Sequence, residues 1–168
     1  TLFRSRTDQP NGDGRRPMNA AARDANNTLL GQKQRDWLKT GLADSRATWN
    51  VLAQQVMMGL VGFTAKNSDE MLYSMDQWPG YAHERAQLLQ FLAKRKVQNP
   101  VVLTGDIHSN WVNDLRVDDR DGKDPVVATE FVGTSISSGG NGSATVPGFE
   151  KLQEQNPGLR FHNRQRGY

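Results

Sequence analysis

The order of helical and strand segments along the sequence predicts a layered α/β or α+β domain. Two amphipathic helical segments alternate with two apolar runs of strand character, and antiparallel strand signals follow them. In such folds helices cover the faces of a sheet, and functional side chains lie beyond the carboxyl ends of its strands. We therefore expect sheets flanked by helices, with any site at the end of a strand.

Both predicted helices place apolar residues at three- and four-residue spacing, as one face of an amphipathic helix does. The first covers about residues 29–43, and Asn27 or Thr28 can cap its start. The second covers about residues 82–96, with Lys and Arg in its last turn, where the helix dipole favours them.

The strands are predicted from apolar runs bounded by turn residues. One covers about residues 48–58, and a second begins at Val101 and carries Asp106 and His108 at its end. Residues 111–117 and 125–132 are the two arms of a hairpin. The remaining assignments are a polar loop over 4–28 with a cluster of turn formers at 8–14, an irregular segment over 59–81, a short helix over 149–155 and a strand over 159–162.

The turn of the predicted hairpin, residues 118–124, is rich in Asp and has some likeness to a calcium-binding loop. It lacks the Glu that closes a twelve-residue EF-hand loop and the helix that precedes such a loop. A hairpin turn without calcium is therefore the expected structure.

The segment Gly105-Asp106-Ile107-His108 is the strongest functional signal. At the end of a strand, side chains two residues apart point to the same side. Asp106 and His108 would direct a carboxylate and an imidazole to one point, which suits a divalent or trivalent cation. Gly105 would let the backbone turn sharply just before them. Two donors do not complete a metal site, so an Asp that caps a turn beside an ordinary His is the alternative.

Composition and charge narrow the function classes. The 168 residues suffice for one domain, but the hydrophobic fraction of 36% and mean hydropathy of −0.71 are polar for a self-sufficient one. No apolar run is long enough to span a membrane, and residues 1–6 lack the apolar core of a signal peptide. The absence of Cys excludes disulfides and thiolate ligands within the chain. The net charge of +3 comes from Arg near both ends, which indicates a solvated surface and does not favour nucleic-acid binding.

Four blocks in one order resemble the alkaline phosphatase D family, which comprises PhoD-like phosphatases and phosphodiesterases. The resemblance extends over nearly the whole chain, from Asp8-Gln9-Pro10 to the closing residues 163–168. The blocks are residues 49–55, residues 75–81 with Arg85, residues 105–108, and residues 130–142.

The resemblance implies a fold, an activity and a metal site. The expected fold is the C-terminal half of a calcineurin-like metallophosphoesterase domain, so residues 1–168 would be a partial catalytic domain that looks truncated at both ends. The family hydrolyses phosphate monoesters and diesters with Fe³⁺ and Ca²⁺. By its motif, Asp106 and His108 are metal ligands, and the other ligands, which include a cysteine, lie in N-terminal motifs without a counterpart here. The family also implies an extracellular or periplasmic location.

Several other residues are weaker candidates. Asn110 could orient the metal ligands or contact phosphate, and Arg85 could bind a phosphate oxygen, although its place near a helix start is more typical of a surface residue. The glycine-rich segment 139–142 could bring backbone N–H groups to a phosphate. His83, His162 and Asp76 are expected to be structural or at the surface, and Trp37, Trp49, Trp78 and Trp111 are expected to lie mostly in the core.

Two functional hypotheses follow. In the first, the chain is part of a metal-dependent phosphate-ester hydrolase, its substrate is a phosphate ester and its partner is the missing N-terminal half of the domain. In the second, the same fold is a non-catalytic module that binds polyanions through its basic surface. The enzyme requires Asp106 and a metal, whereas the module requires neither and binds in a salt-sensitive manner.

Overall fold

The protein is a mixed α/β structure with two sheets and flanking helices. The computed structural model describes residues 6, 7, 12 and 14–167, so most of the predicted turn cluster at 8–14 and the closing Tyr168 lie outside the described residues. The strands are β1 (Arg15–Pro17), β2 (Asn50–Ala53), β3 (Phe63–Thr64), β4 (Met71–Ser74), β5 (Pro100–Thr104), β6 (Asn110–Leu115), β7 (Ala128–Val132) and β8 (Leu159–Asn163). The helices are α1 (Gly31–Asp44), α2 (Ala82–Arg95) and α3 (Phe149–Gln155), with short 3-10 turns at Ala21–Arg23 and Trp78–Tyr81.

The larger sheet has five strands in the order β2-β5-β7-β6-β8. Strands β2, β5 and β7 are parallel, whereas β6 is antiparallel to both β7 and β8. The carboxyl ends of β5 and β7 therefore lie side by side, and Gly133 N donates to Thr104 O at 2.9 Å where the two strands end. The loop that carries Asp106 and His108 begins at this edge.

One face of the larger sheet is buried beneath α1 and α2. Strand alternation directs Leu52 and Val102 toward this face, where they pack in the main core with apolar residues of both helices. Helix α2 contributes Leu88, Leu89 and Leu92, each 2% exposed or less. Burial of such side chains stabilises the fold by about 1.5–3 kcal/mol each.

The opposite face of the same sheet is apolar but exposed. Leu103, Phe131, Val112 and Phe161 are successive neighbours across β5, β7, β6 and β8. Leu103, Phe131 and Phe161 are each between 43% and 46% exposed. We call this row the outer apolar face.

The smaller sheet has the order β1-β4-β3, and both of its pairings are antiparallel. Its strands lie within residues 4–28 and 59–81, so the predictions of a loop and an irregular segment there were wrong in part. The strands have only two to four residues each. Such short runs show no usable alternation, and the pairing between distant residues decides their structure.

The other predicted elements are confirmed, with shifted boundaries. Both long helices, the hairpin of β6 and β7, the short helix α3 and strand β8 form where expected. Strand β2 is shorter than the predicted 48–58, and β5 ends at Thr104, before Asp106. None of the described helices is long and apolar enough to cross a membrane.

The start of α1 is held by two side chains. The Thr28 hydroxyl accepts from Gly31 N at 2.7 Å, as the predicted cap would. The buried carboxylate of Glu84 on α2 accepts from Leu29 N at 2.6 Å and from Leu30 N at 3.2 Å. A carboxylate from one helix thus fixes the N-terminal end of the other.

A buried polar network holds the segment of residues 58–62, which joins the two sheets. Glu130 on β7 accepts from Met58 N at 2.5 Å and from Gly59 N at 2.9 Å. Arg85 on α2 donates to Met58 O at 2.6 Å and pairs with Asp119, which also accepts from Leu60 N at 2.9 Å. We call the contacts of Glu130, Arg85 and Asp119 with this segment the buried junction.

Removing the buried guanidinium should destabilise the fold strongly. We expect Arg85→Met to lower the free energy of unfolding by about 3–5 kcal/mol, because Asp119 would remain as a buried charge without its partner. Arg120→Met is the control, because the Arg120–Asp118 pair is 59% and 46% exposed, and it should cost less than about 1 kcal/mol. Urea unfolding monitored by circular dichroism measures both, and equal small losses would contradict a central role for the junction.

Candidate active site

The loop after β5 presents Asp106 and His108 by left-handed backbone conformations. Asp106 has φ 72° and His108 has φ 57°, and Ile107 N donates to Gly105 O at 2.9 Å in a tight three-residue turn. The chain turns at Gly105, as expected, but the expectation that Asp106 and His108 end an extended strand was wrong, because β5 already ends at Thr104. Non-glycine residues rarely adopt this conformation, and strained positions of this kind cluster at functional sites.

The donor set of this loop fits part of a metal site. A carboxylate and an imidazole suit a hard or borderline cation, and both side chains are exposed. Within the described part of the chain, no third His, Cys, Asp or Glu joins them to form a metal-binding group. The hydroxyls of Thr104 and Thr134, which flank the loop, are buried without a partner among the described residues. The described residues therefore offer two donors at this loop, fewer than a metal site needs.

Asn110 connects three segments around this loop. Its Nδ2 donates to Asn163 Oδ1 at 2.7 Å and to Gln165 O at 3.1 Å, and its Oδ1 accepts from Thr134 N at 3.1 Å. Both amide hydrogens of Asn110 are thus engaged with protein atoms. This geometry fits a residue that positions the loop after β5.

A cleft of about 490 Å³ opens beside His108. His108 lines it and Asp106 does not, so the structure places only one of the two predicted ligands on the cleft wall. The described lining residues include no Asp or Glu, and two Arg face the cleft. The lining is Arg15 and Phe63 from the smaller sheet, Ile107 to Ser109, Trp111, Gly139 to Asn141, His162 and Arg164.

One wall of the cleft is a stacked aromatic pair. The rings of Trp111 and His162 lie 3.4 Å apart between centroids and are inclined by 13°. Trp111 Nε1 donates to Ser109 Oγ at 2.8 Å, and this hydroxyl donates to Ile107 O at 3.2 Å. The Trp111 side chain on β6 therefore supports the turn that presents His108.

Comparison with known proteins shows the relationship of this chain. A profile of the PhoD-like phosphatase family matches residues 3–168. The chain belongs to the PhoD-like phosphatase family. It is 42% identical over 163 residues to alkaline phosphatase D of Bacillus subtilis (strain 168), which covers 97% of this chain and 28% of that protein.

The fold agrees with this family. A solved structure of PhoD superposes with a TM-score of 0.89 at 42% identity, covering 97% of this chain and 31% of that one. The predicted fold class, two sheets flanked by helices in a metallophosphoesterase-like domain, is confirmed. This PhoD-like chain spans less than a third of the length of the relatives it matches.

Arg85 lies in the buried junction of the PhoD-like chain and does not line the cleft. It is 1% exposed, and its three nitrogens contact Met58 O, Arg116 O and Asp119. No edge of the guanidinium remains for a phosphate, so the expectations of a phosphate contact or a surface position were both wrong. Arg85 is buried because it pairs with Asp119, which lies 34 residues away in the sequence, so no local pattern indicated this partner.

The tryptophans divide into two groups. Trp78 and Trp111 are buried as expected. Trp37 on α1 and Trp49 before β2 are 66% and 63% exposed, so the expectation of core positions was wrong for these two. The apolar face of α1 packs through Leu38 and Leu42, and Trp37 lies beside it.

Sequence reasoning missed three cleft residues of this PhoD-like chain. Arg15 and Arg164 were assigned to the solvated surface, and His162 was assigned to packing or surface. His162 is a packing residue, since it stacks on Trp111, but it also lines the cleft. The pairing of β8 with β6 brings residues 162–164 beside the loop after β5, and no local sequence pattern indicates this pairing. The glycine-rich segment also reaches the cleft, where Gly140 O accepts from Arg166.

The tautomer of His162 follows from its neighbours. Its Nδ1 lies 3.0 Å from the backbone oxygen of Asn110, which can only accept, so Nδ1 carries the hydrogen and the neutral ring has its lone pair on Nε2. Burial lowers the pKa of His162, and the charge of Arg164 lowers it further, while the bond to Asn110 opposes both effects.

The lowered pKa of His162 predicts acid sensitivity. The unfolded chain takes up a proton near the ordinary pKa of 6.5 before the folded chain does. Stability due to this group is therefore present above that pH and lost as the pH falls through the folded pKa. We expect His162→Gln to show a smaller fall in unfolding free energy than the parent between pH 7.5 and 5.5, measured by urea unfolding.

The charge of Arg164 provides a check on the cause. In Arg164→Gln, the His162 pKa, followed by NMR of the ring protons, should move upward toward its ordinary value. An unchanged pH dependence in His162→Gln, or an ordinary His162 pKa in the parent, would contradict this account.

Proposed function

We propose that this chain takes part in the metal-dependent hydrolysis of phosphate monoesters or diesters, within a PhoD-like enzyme. The observation that carries the proposal is the loop after β5, which presents a carboxylate and an imidazole, and whose imidazole lines a cleft without described acidic lining residues. Membership of a phosphatase family supports this reaction class. The relative's name, alkaline phosphatase D, supports a phosphate ester as the substrate.

Asp106 and His108 would hold part of the metal centre, with Fe³⁺ and Ca²⁺ as the proposed ions. A bound cation of this kind neutralises charge on phosphoryl oxygens and makes a water-derived nucleophile available at neutral to alkaline pH. Asp106 would act as a charged oxygen donor and His108 as a neutral nitrogen donor. The described residues offer no third ligand at this loop, and the proposed source of the remaining donors is an N-terminal part of the same domain.

Residues in and near the cleft would position the His108 donor and attract the substrate. Phosphoryl transfer depends mostly on alignment of the attacking and leaving groups and on electrostatic stabilisation. Asn110 and the stacked Trp111 and His162 hold the loop that carries His108, so they would keep that donor in place when substrate binds. The basic lining would attract the negatively charged ester.

We also propose that further polypeptide, an N-terminal part of the same domain, covers the outer apolar face. The outer apolar face crosses four of the five strands of the larger sheet, and monomeric proteins rarely expose large contiguous apolar patches. The same part would supply the missing metal ligands. An extracellular or periplasmic location is proposed from family membership.

The role of Asp106 can be tested in the full-length protein that contains this sequence. We expect Asp106→Ala to abolish hydrolysis of p-nitrophenyl phosphate and bis-p-nitrophenyl phosphate, with reduced metal content by elemental analysis, because a charged ligand is lost. Folding should survive, since Asp106 is exposed. Asp69→Ala, at another exposed Asp in the turn between β3 and β4, should retain parental activity and metal.

The same experiment separates the two functional hypotheses. Activity near the parental level in Asp106→Ala would contradict the assignment. Salt-sensitive polyanion binding that is independent of Asp106 and of metal, in the absence of turnover, would instead identify a non-catalytic module.

The covering of the outer apolar face gives a further test. When this chain and the remainder of the full-length protein are produced as separate polypeptides, we expect Phe131→Asp to prevent their association, because it places a charge in the interface. Ile136→Asp is the matched control, since Ile136 is 71% exposed and lies outside the sheet. Size-exclusion chromatography of the mixtures measures association, and assembly by the Phe131 variant would refute this interface.

A further inference from the structure

We propose that Arg15 and Arg164 form a paired-guanidinium site that binds the phosphoryl group of the substrate, and the phosphate product, in the cleft beside His108. Arg15 lies on β1 of the smaller sheet, and Arg164 directly follows β8 of the larger sheet. Both line the cleft together with His108. The inference rests on the proposed function of this site and adds the residues that recognise the anion.

Arg15 is positioned by an aromatic ring. Its guanidinium carbon lies 3.6 Å from the centroid of the Phe63 ring. Phe63 is on β3, which is separated from β1 by β4 in the smaller sheet. Such a cation–π contact orients the flat guanidinium and leaves its N–H edge free for hydrogen bonding. The side chain as a whole remains exposed to the cleft.

The charges of the two Arg are not neutralised by a described residue. Five other Arg in the described part of the chain, at 35, 85, 116, 120 and 160, each pair with a carboxylate. No described carboxylate pairs with Arg15 or Arg164. Partial burial lowers the pKa of Arg15, and the nearby charge of Arg164 lowers it further. Two cations held close together without a counter-ion repel each other, and an anion between them would relieve that repulsion.

Phosphate is the anion that this arrangement fits best. Guanidinium groups bind phosphate oxygens through two parallel N–H bonds, and these charge-assisted bonds are stronger than neutral ones. The cleft volume of about 490 Å³ can hold a phosphoryl group together with an organic group. The aromatic surfaces of Phe63 and of the stacked His162 offer that organic group an apolar wall.

The experiment uses the full-length protein and inorganic phosphate as the probe. We expect Arg15→Gln and Arg164→Gln each to raise the phosphate dissociation constant, measured by isothermal titration calorimetry, by about tenfold, and the double variant to raise it further. KM for p-nitrophenyl phosphate should rise by a similar factor. The Lys variants should recover part of the affinity, because they keep the charge but lose the planar fork.

Arg160→Gln is the matched control. Arg160 lies on β8, four residues before Arg164, but it is neutralised by Asp114, with its nitrogens 2.6 and 2.7 Å from the carboxylate. Its replacement should leave phosphate binding unchanged. Equal losses in Arg160→Gln and Arg164→Gln would show a general charge effect and would overturn the proposal.

The outcomes separate this inference from the proposed function. Parental phosphate affinity in the double variant, with hydrolysis intact, overturns the paired-guanidinium site and leaves the proposed function standing. Phosphate binding that depends on both Arg, in a parent protein that hydrolyses neither ester, supports the site and refutes the proposed function.

Discussion

The buried junction is the interaction on which the rest of this structure depends. Backbone groups of residues 58–62 would be costly to bury without partners, and Glu130, Arg85 and Asp119 satisfy several of them. This segment follows β2 of the larger sheet and leads into β3 of the smaller sheet. Since Phe63 begins β3 and contacts Arg15, the junction also determines where one wall of the cleft lies.

The junction explains why charged residues occupy core positions. Burial raises the pKa of Glu130, whereas hydrogen bonds from Met58, Asn113 and Gly59 and the charge of Arg85 act in the opposite direction. Removing water from a carboxylate is expensive, and these partners offset much of that cost. An apolar side chain at 130 could fill the same space, but it could not bond two successive backbone N–H groups. The buried acid thus specifies the path of the segment as well as its stability.

The site combines this rigid frame with a strained loop. Asp106 and His108 adopt left-handed conformations that the surrounding contacts must stabilise, and the bonds of Asn110 and Ser109 supply part of that support. The cleft then arises where the loop meets residues of β8 and of the smaller sheet. Family membership, loop geometry and a basic lining all agree with the phosphate-ester site proposed above. The chain matches under a third of its relatives' length.

The sequence by itself determined the long helices, the hairpin, the closing strand and the presence of Asp106 and His108 just after a strand, because periodicity, turn residues and the local motif are short-range signals. Tertiary structure decided the smaller sheet, the burial of Arg85 and the approach of Arg15 to Arg164. These features depend on pairing between residues far apart in the chain, which leaves no local pattern. For the same reason the sequence indicated a surface position for Arg85, because its buried partner Asp119 lies 34 residues away in the chain.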